Sequence, residues 1–581
     1  MSARARRVAR EHGAAAVALA LVVGFALKVT LGLRGTFDLY FDDETIYLDA
    51  AKHLHTHFLP LAESSPLYPQ WYKLLGLFER DPLELYFSSW LVLTATLPVA
   101  LFALARRSGA GPVASAAVAI VWALSSTSMT WPFVSKFATL LLAVGAIAAT
   151  YPRDTRISLA IGSGVVSAAA FARAELALPA AAYALVVVTV SAASLWRRRA
   201  RGARRGGLVA IAITVVPPVA LRLAFGKAGN PFAHGRQFFA FGQHYALNVV
   251  EDRGLTVDPW TSWLPLAREA FPTATTIRDA ARENPSAFAW HIQRNIVTAT
   301  RAFEELLAPL SYHPPAVASV SRTLLWAVLL GTFVGIAARW RARTPTPIAR
   351  WLALYGAVVA ATAAAALLVY PRQHYILPLT FLTLAALAGA TARAPGLDDA
   401  RASGLARGLR LAALAAGVVL LAAIPTARRG YLPSLLDARG PAPQAEAHQE
   451  NRATVLALRD MGLFAPPWGP VPPRPSWMPS VVIFEPDYSR GVYAFHDWVW
   501  VPQSRKAVGF WHFVHATWTN VVVINWRMRG DIHLKDDPEW IAFVDGTGER
   551  EDFEMFPVEG TTVVLAVRRS LLQFASPHSK R

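Results

Sequence analysis

AAAVALALVVGFALKVTLGL, residues 14–33, decides the fold class. A stretch of about 20 apolar residues is long enough to cross the hydrocarbon core of a bilayer as a helix. A cleaved signal peptide has a shorter apolar core, so the stretch reads as a retained anchor. Arg4, Arg6, Arg7 and Arg10 precede it, and Lys28 lies near its far end. A few residues beyond it comes Phe41-Asp42-Asp43-Glu44-Thr45-Ile46-Tyr47, three adjacent carboxylates at the membrane edge. Such acids can simply begin a loop, but acids at a membrane edge are functional candidates by default.

Further apolar segments fall at about 87–105, 112–129, 136–151, 157–172, 175–196, 207–225, 319–338, 349–370, 375–392 and 408–425. With the first, these predict eleven crossings. Pro98, Pro217, Pro218 and Pro378 lie inside them, which bundles tolerate when neighbouring groups satisfy the freed carbonyls. Composition agrees with this polytopic helical reading. The 581 residues are 54% hydrophobic and only 17% charged, below the usual quarter. The formal net charge of +18 does not point to nucleic acid, because the arginines sit in short runs between apolar segments. Arg106 and Arg107, Arg153 and Arg156, the run from Arg197 to Arg205, Arg339 to Arg350, and Arg393 to Arg410 all fall on the same side as the N-terminus. That side is therefore expected to be cytoplasmic. The chain contains no cysteine, which excludes disulfides and thiolate chemistry. Its Ala- and Arg-rich composition suggests a bacterial inner-membrane protein.

Three sizeable pieces fall on the opposite, extracytoplasmic side: residues 34–86, residues 226–318, and everything after Arg428. Loops this long usually serve a function. In the first, Glu44 to His57 reads as a short helix along the membrane surface with Ile46, Tyr47, Ala50, Ala51 and Leu54 on one face. Pro66-Leu67-Tyr68-Pro69 separates it from an apolar piece, Trp71 to Phe78. The second loop carries Phe238, Phe239, Phe241, His244 and Tyr245, then Asn284-Pro285, an N-cap with proline at the first helical position. That helix should run to about Leu307. Residues 1–425 thus form the membrane module and 426–479 a Pro-rich linker around one helix (about Asn451 to Leu463). Residues 480–581 form a small extracytoplasmic α/β domain. Its strands are expected at Val481–Phe484, Val521–Trp526 and Thr562–Val567, and a helix at about Arg505–Thr517. Most of Trp498, Trp500, Trp511, Trp518, Trp526 and Trp540 are expected in its core.

Charged side chains near the extracytoplasmic ends of the spans are few: Lys28, Lys136, Arg173, Glu175, Arg222, Arg322, Arg372 and His374. Each alone could be a snorkelling side chain. Together they describe a cationic ring facing Asp42, Asp43 and Glu44. A lipid-linked phosphate and a hydroxyl acceptor need such a site: cations hold the leaving phosphate and a carboxylate takes the acceptor's proton. A transporter would place its polar groups near the bilayer midplane, where no clear cluster occurs.

Asp43-Glu44-Thr45-Ile46-Tyr47 followed by Ser65-Pro66-Leu67-Tyr68-Pro69 resembles the first outer loop of the GT-C glycosyltransferases, polytopic enzymes that use polyprenyl-phosphate sugars. The protein mannosyltransferase and aminoarabinose transferase branch compares best. Phe171-Ala172-Arg173-Ala174-Glu175 is similar to the Arg-x-Glu turn of that family. Tyr370-Pro371-Arg372-Gln373-His374-Tyr375-Ile376-Leu377-Pro378 resembles its Arg-Tyr-Leu-Leu-Pro opening of a late span. The resemblance covers about residues 1–425. One departure is Glu63-Ser64-Ser65, where some relatives carry a lysine.

The resemblance implies an inverting transfer from a polyprenyl-phosphate-linked sugar to a glycan, lipid or protein acceptor. Asp43 would be the general base, with Asp42 and Glu44 orienting the acceptor or holding a divalent cation. Arg173, Arg372, His374 and Lys136 would meet the donor phosphate, and Tyr47, Tyr68, Glu175 and Tyr375, which stand in the matching motifs, would line the substrate site. His53 and His57 are one helical turn apart, but no glutamate sits between them in the protease pattern, and no metal ligand set is assigned. Two other readings remain open at this stage: a flippase for lipid-linked sugars, or a non-enzymatic envelope-assembly protein using the Trp-rich domain as a binding module.

Overall fold

The computed structural model describes residues 3–31, 38–41, 43–55, 65–197, 201–226, 236–257, 259–260, 262–308, 315–342, 347–391, parts of 408–422, 449–462, 480–485, 489–495, 498–501, 508–531 and 533–574. Asp42, His57, parts of the eleventh apolar segment and most of the Pro-rich linker lie outside the described residues. The chain divides into two compact units. One comprises Met1–Leu31, Glu63–Tyr68 and Val92–Gly440; the other comprises Gly32–Ala62, Pro69–Leu91 and Pro441–Arg581.

The elements run in order as α1 (Ala3–Thr30), α2 (Asp43–Lys52), α3 (Leu67–Leu75), α4 (Pro82–Arg107), α5 (Pro112–Leu124), α6 (Val134–Ala149), α7 (Thr155–Ala170), α8 (Ala177–Arg197) and α9 (Arg201–Phe225). There follow α10 (Arg236–Arg253), α11 (Trp263–Ala270), α12 (Ile277–Glu283), α13 (Pro285–Leu307), α14 (Pro315–Ala342), α15 (Pro347–Leu368), α16 (Gln373–Ala390) and α17 (Glu450–Asp460).

Among the described residues, five helical stretches are long and apolar enough to cross a membrane: His12–Thr30, Pro82–Arg107, Ala174–Trp196, Arg205–Phe225 and Gln373–Ala390. Five shorter apolar helical stretches accompany them: Pro112–Leu124, Val134–Ala149, Thr155–Ala170, Ser321–Ala337 and Tyr355–Leu368. These correspond in order to the first ten predicted segments, and the chain is a multi-pass membrane protein. Pro98, Pro217, Pro218 and Pro378 sit inside continuous helices, as the sequence allows. The first unit packs these helices around a core in which Trp122 of α5 meets Phe381 of α16 edge-on, with ring centroids 5.1 Å apart. Edge-to-face contact suits the ring quadrupoles.

Among the described residues, the connection between α9 and α14 is largely helical. Asn284 caps α13 through its side-chain oxygen, which accepts from the Ala287 N–H, and Pro285 occupies the first turn. Thr276 and Asp279 form a reciprocal capping box at α12, satisfying two otherwise orphaned N–H donors. In the earlier loop the structure differs from expectation. Pro66 does stand between two helices, but Leu67, Tyr68 and Pro69 belong to the second, as the first turn of α3, where proline costs no intrahelical bond.

The second unit contains a five-stranded sheet, β1 (Val481–Phe484), β2 (Trp498–Val501), β3 (Val521–Ile524), β4 (Phe553–Pro557) and β5 (Val564–Arg568), in the order β2-β1-β3-β5-β4. β1 is parallel to β2 and β3, whereas β5 is antiparallel to β3 and β4. Every residue of β1 and β3 is buried, which is why both read as unbroken apolar runs. Alternation still sorts them: Val481, Ile483, Val521 and Val523 pack on one face with Leu458 of α17, and Val482, Phe484, Val522 and Ile524 on the other with Phe510, Val514, Trp540 and Phe543. The sequence reading missed β2 and β4, the two edge strands. β4 contains Glu554 and ends in Pro557, both edge features. The tryptophans also differ from expectation. Trp540 is in the core, but Trp518 and Trp526 are largely exposed.

Candidate functional site

Asp43 opens helix α2. Acidic residues suit a helix start because the free N–H groups there carry partial positive charge. Its side chain is partly exposed, and no hydrogen bond or ion pair occupies its carboxylate among the described residues. Glu44 is the opposite case. It is fully buried, and the Tyr72 hydroxyl of α3 donates a hydrogen bond to its Oε1. Adjacent acids on a helix point about 100° apart, so one faces inward and the other does not. Tyr47, on the face predicted to be apolar, is buried with Ala50, Ala51 and Leu54, but Ile46 is 44% exposed. Asp42, the third expected acid, lies outside the described residues.

Helix α2 is fastened within the second unit by contacts far apart in sequence. Lys52 is buried, and its Nζ donates to the Val492 and Phe495 carbonyls at 2.8 and 3.1 Å. Burial lowers the Lys52 pKa to about 8, Asp49 opposing the shift and Arg459 adding to it. Thr45 Oγ1 lies 3.4 Å from the Tyr493 hydroxyl. Just before α2, Asp38 accepts from the Asn451 and Arg452 N–H groups at 2.8 and 2.9 Å, capping α17. Burial raises the Asp38 pKa in spite of these bonds. Arg459 of α17 forks onto Asp81 at 2.7 and 2.8 Å and also donates to the Tyr493 carbonyl. Burial works to raise Asp81, but the Arg459 fork prevails and holds its pKa below the usual range. A fully buried pair, Arg490 with Glu485 at 3.0 Å, completes the array, with Arg490 also donating to Asn451. The Asp43-bearing loop and the C-terminal sheet domain are thus parts of one compact unit.

The cationic candidates lie in the first unit. Arg173 precedes a short helical turn (Ala174–Leu176) that leads into α8. It pairs with Glu175 at 2.6 Å, donates to Ser135 Oγ at 3.1 Å, and lies over the Tyr375 ring at 4.7 Å. The sequence motif Arg-x-Glu is therefore an internal ion pair. Arg372 sits at the N-cap of α16, partly exposed, with its guanidinium 4.4 Å from the centroid of the Trp260 ring and no acidic partner among the described residues. His374 is buried against Tyr375, ring centroids 4.3 Å apart.

Lys136 lies in the first turn of α6. It is fully buried, and its Nζ donates to Thr94 Oγ1 at 2.9 Å and to the Ser128 carbonyl at 2.6 Å. A buried ammonium needs such partners. Tyr68 is likewise fully buried, its ring 5.4 Å from Phe137. The metal reading at His53 and His57 cannot be followed, because His57 lies outside the described residues. His53 is 3.9 Å from Asp49, and among the described residues no cluster of three or more ligating side chains occurs.

Sequence reasoning noted His244 only as part of an aromatic run. In the structure, α10 brings it against Tyr370 (5.3 Å, stacked), Trp260 (5.5 Å, edge-on) and Tyr375 (6.4 Å). Alongside, Asn248, His291 and Asn295 form a polar network that ends on the Leu367 and Val369 carbonyls. The network ties α10 and α13 to the end of α15, immediately before Tyr370-Pro371-Arg372. Burial lowers the His291 pKa to about 4. For His244, burial and then Arg372 lower it to about 3. Both rings are neutral near pH 7.

No protein-family model and no curated protein sequence matches the chain. Among solved structures, it is similar to the oligosaccharyltransferase of Archaeoglobus fulgidus in the apo form, with 12% identity and a TM-score of 0.42 over 89% of this chain and 70% of that one. It is also similar to the archaeal oligosaccharyltransferase AglB from Archaeoglobus fulgidus in complex with an inhibitory peptide and a dolichol-phosphate, with 10% identity and a TM-score of 0.39 over 88% and 70%. ArnT from Cupriavidus metallidurans in the apo state is 15% identical, with a TM-score of 0.34 over 99% and 100%.

Proposed function

We propose that this membrane protein is a glycosyltransferase of the GT-C type. It moves a sugar from a polyprenyl-phosphate donor to a hydroxyl acceptor on the extracytoplasmic face of a bacterial inner membrane, with inversion at the anomeric carbon. The observation that carries the reading is the contrast between two adjacent acids. Glu44 is buried and engaged by Tyr72. Asp43 opens the same helix with its carboxylate accessible and without a partner among the described residues. The three motif resemblances in residues 1–425 support the same assignment.

In this mechanism Asp43 accepts the proton of the acceptor hydroxyl as its oxygen attacks the anomeric carbon. The carbon–oxygen bond to phosphate breaks on the opposite side, and the electron pair leaves with the polyprenyl phosphate. Arg372 is the preferred phosphate ligand, because its charge is not taken up by an acid among the described residues and its fork suits phosphate oxygens. Arg173, already paired with Glu175, contributes a weaker net charge.

The test is transfer by the purified full-length protein in nanodiscs, given labelled polyprenyl-phosphate hexoses and pentoses and a panel of glycan, lipid and peptide acceptors. The reading expects acceptor-dependent release of polyprenyl phosphate with an inverted glycoside as product. Lipid-linked sugar crossing the bilayer without transfer to any acceptor would replace it with the flippase reading.

A further inference from the structure

His244 carries an unassigned recognition group. Its Nδ1 lies 2.7 Å from the Ala240 carbonyl. A carbonyl oxygen only accepts, so Nδ1 holds the ring hydrogen. The ring is 4% exposed and neutral, which leaves Nε2 as a bare lone pair. That atom is buried and has no hydrogen-bond partner among the described residues. A buried polar atom left unmet is destabilising, so such an atom calls for a partner.

Its surroundings define the chemistry of that partner. Tyr370, Trp260 and Tyr375 present ring surfaces around the imidazole, as given above. Arg372, stacked on the same Trp260, supplies a cation beside it. Arg173 lies over Tyr375, and His374 adds a second buried imidazole. A cation at Nε2 would meet the Arg372 charge and, among the described residues, no carboxylate ligand set. A hydroxyl donating to Nε2 meets neither problem. Aromatic walls, a bare acceptor and a neighbouring arginine together fit a sugar whose hydroxyl lies near an anionic group.

We propose that His244 Nε2 accepts a hydrogen bond from a hydroxyl of the donor's sugar, so that α10 reads the sugar next to the phosphate contact of Arg372. The inference rests on the lipid-linked donor of the proposed function, and the test separates the two. Binding of bare polyprenyl phosphate and of a panel of polyprenyl-phosphate hexoses and pentoses is measured on full-length protein in nanodiscs. Wild type should prefer at least one sugar-bearing lipid. His244→Leu should lose about 10-fold in affinity for that lipid, the order expected for one hydrogen bond, with bare polyprenyl phosphate unchanged. Arg372→Ala should weaken both.

A wild-type protein that binds bare and glycosylated lipids equally overturns the inference but leaves the donor lipid standing. One that binds neither overturns both. His244→Leu that keeps the full sugar preference, or loses the bare lipid by the same factor, also overturns it. Should that variant not fold, the unaltered protein still decides the matter. Carbethoxylation of His244, mapped by peptide mass spectrometry, should be blocked by the preferred sugar lipid and not by bare polyprenyl phosphate. Equal protection by both, or by neither, means that the sugar does not occupy Nε2 and that the atom is met by water alone.

Discussion

Removing Arg459 should release the helix that carries Asp43. In Arg459→Ala two things are lost. The fork onto Asp81, at 2.7 and 2.8 Å, joins side chains that are 19% and 36% exposed. Water can replace part of that interaction, so it is worth about 1 kcal/mol rather than the value of a dry pair. The two bonds to the Tyr493 carbonyl leave that acceptor unmet, at a cost of about 1–3 kcal/mol. The sum is about 2–4 kcal/mol. If the second unit opens cooperatively, that sum appears as a rise in amide hydrogen exchange of roughly 30- to 800-fold across residues 43–52. The assay is exchange with mass spectrometry on the full-length protein in nanodiscs, with α7 as the internal control. Asp81→Asn keeps a neutral acceptor for the fork and should give a smaller rise. Unchanged exchange over residues 43–52, or an equal rise in α7, would refute the claim that this fork braces the Asp43 loop.

Glu44→Gln should lower the stability of the second unit by about 1–3 kcal/mol through its buried bond to Tyr72, while turnover of the folded fraction stays within about threefold; a melting scan paired with activity per folded molecule checks this. Arg372→Ala should lose donor use with near-normal melting, because its partner is a ligand; a buried structural arginine would instead destabilise the protein by several kcal/mol when removed. Thermal stability should fall with acid below about pH 6.5. In the folded protein His244 and His291 have pKa values lowered from 6.5 to about 3 and about 4. The unfolded chain therefore binds the extra protons as pH drops through 6.5, and at pH 5 each histidine costs about 2 kcal/mol. Melting followed from pH 7.5 to 5 should show this slope, and His291→Gln should flatten it.

The sequence disclosed those parts of this architecture that depend on local pattern. Apolar runs near the length of a bilayer marked the spans, and Asn284-Pro285 marked the start of α13 because capping is decided within four residues. The Arg173–Glu175 pair was visible as a motif, but its partner Ser135 was not. What stayed hidden depends on contacts made across the fold. Lys52 reads as an ordinary surface lysine until Val492 and Phe495, about 440 residues later, accept its hydrogen bonds. Asp43 and Glu44 look equivalent as letters, but burial and the bond from Tyr72 set Glu44 apart. Lys136 was visible at the start of a segment, but its partners Thr94 and Ser128 were not. Trp518 and Trp526 resembled core residues by type but project from the sheet domain.

The most direct measurement of the central claim is the turnover of Asp43→Asn. Asparagine keeps the size of the side chain and most of its hydrogen bonding, but it cannot take the acceptor's proton. General-base catalysis supplies about 10²- to 10⁴-fold, so transfer from the labelled polyprenyl-phosphate sugar should fall by that factor. Donor affinity and melting temperature should be close to wild type, since the carboxylate has no structural partner among the described residues. An Asp43→Asn protein that transfers sugar at the wild-type rate would contradict the account.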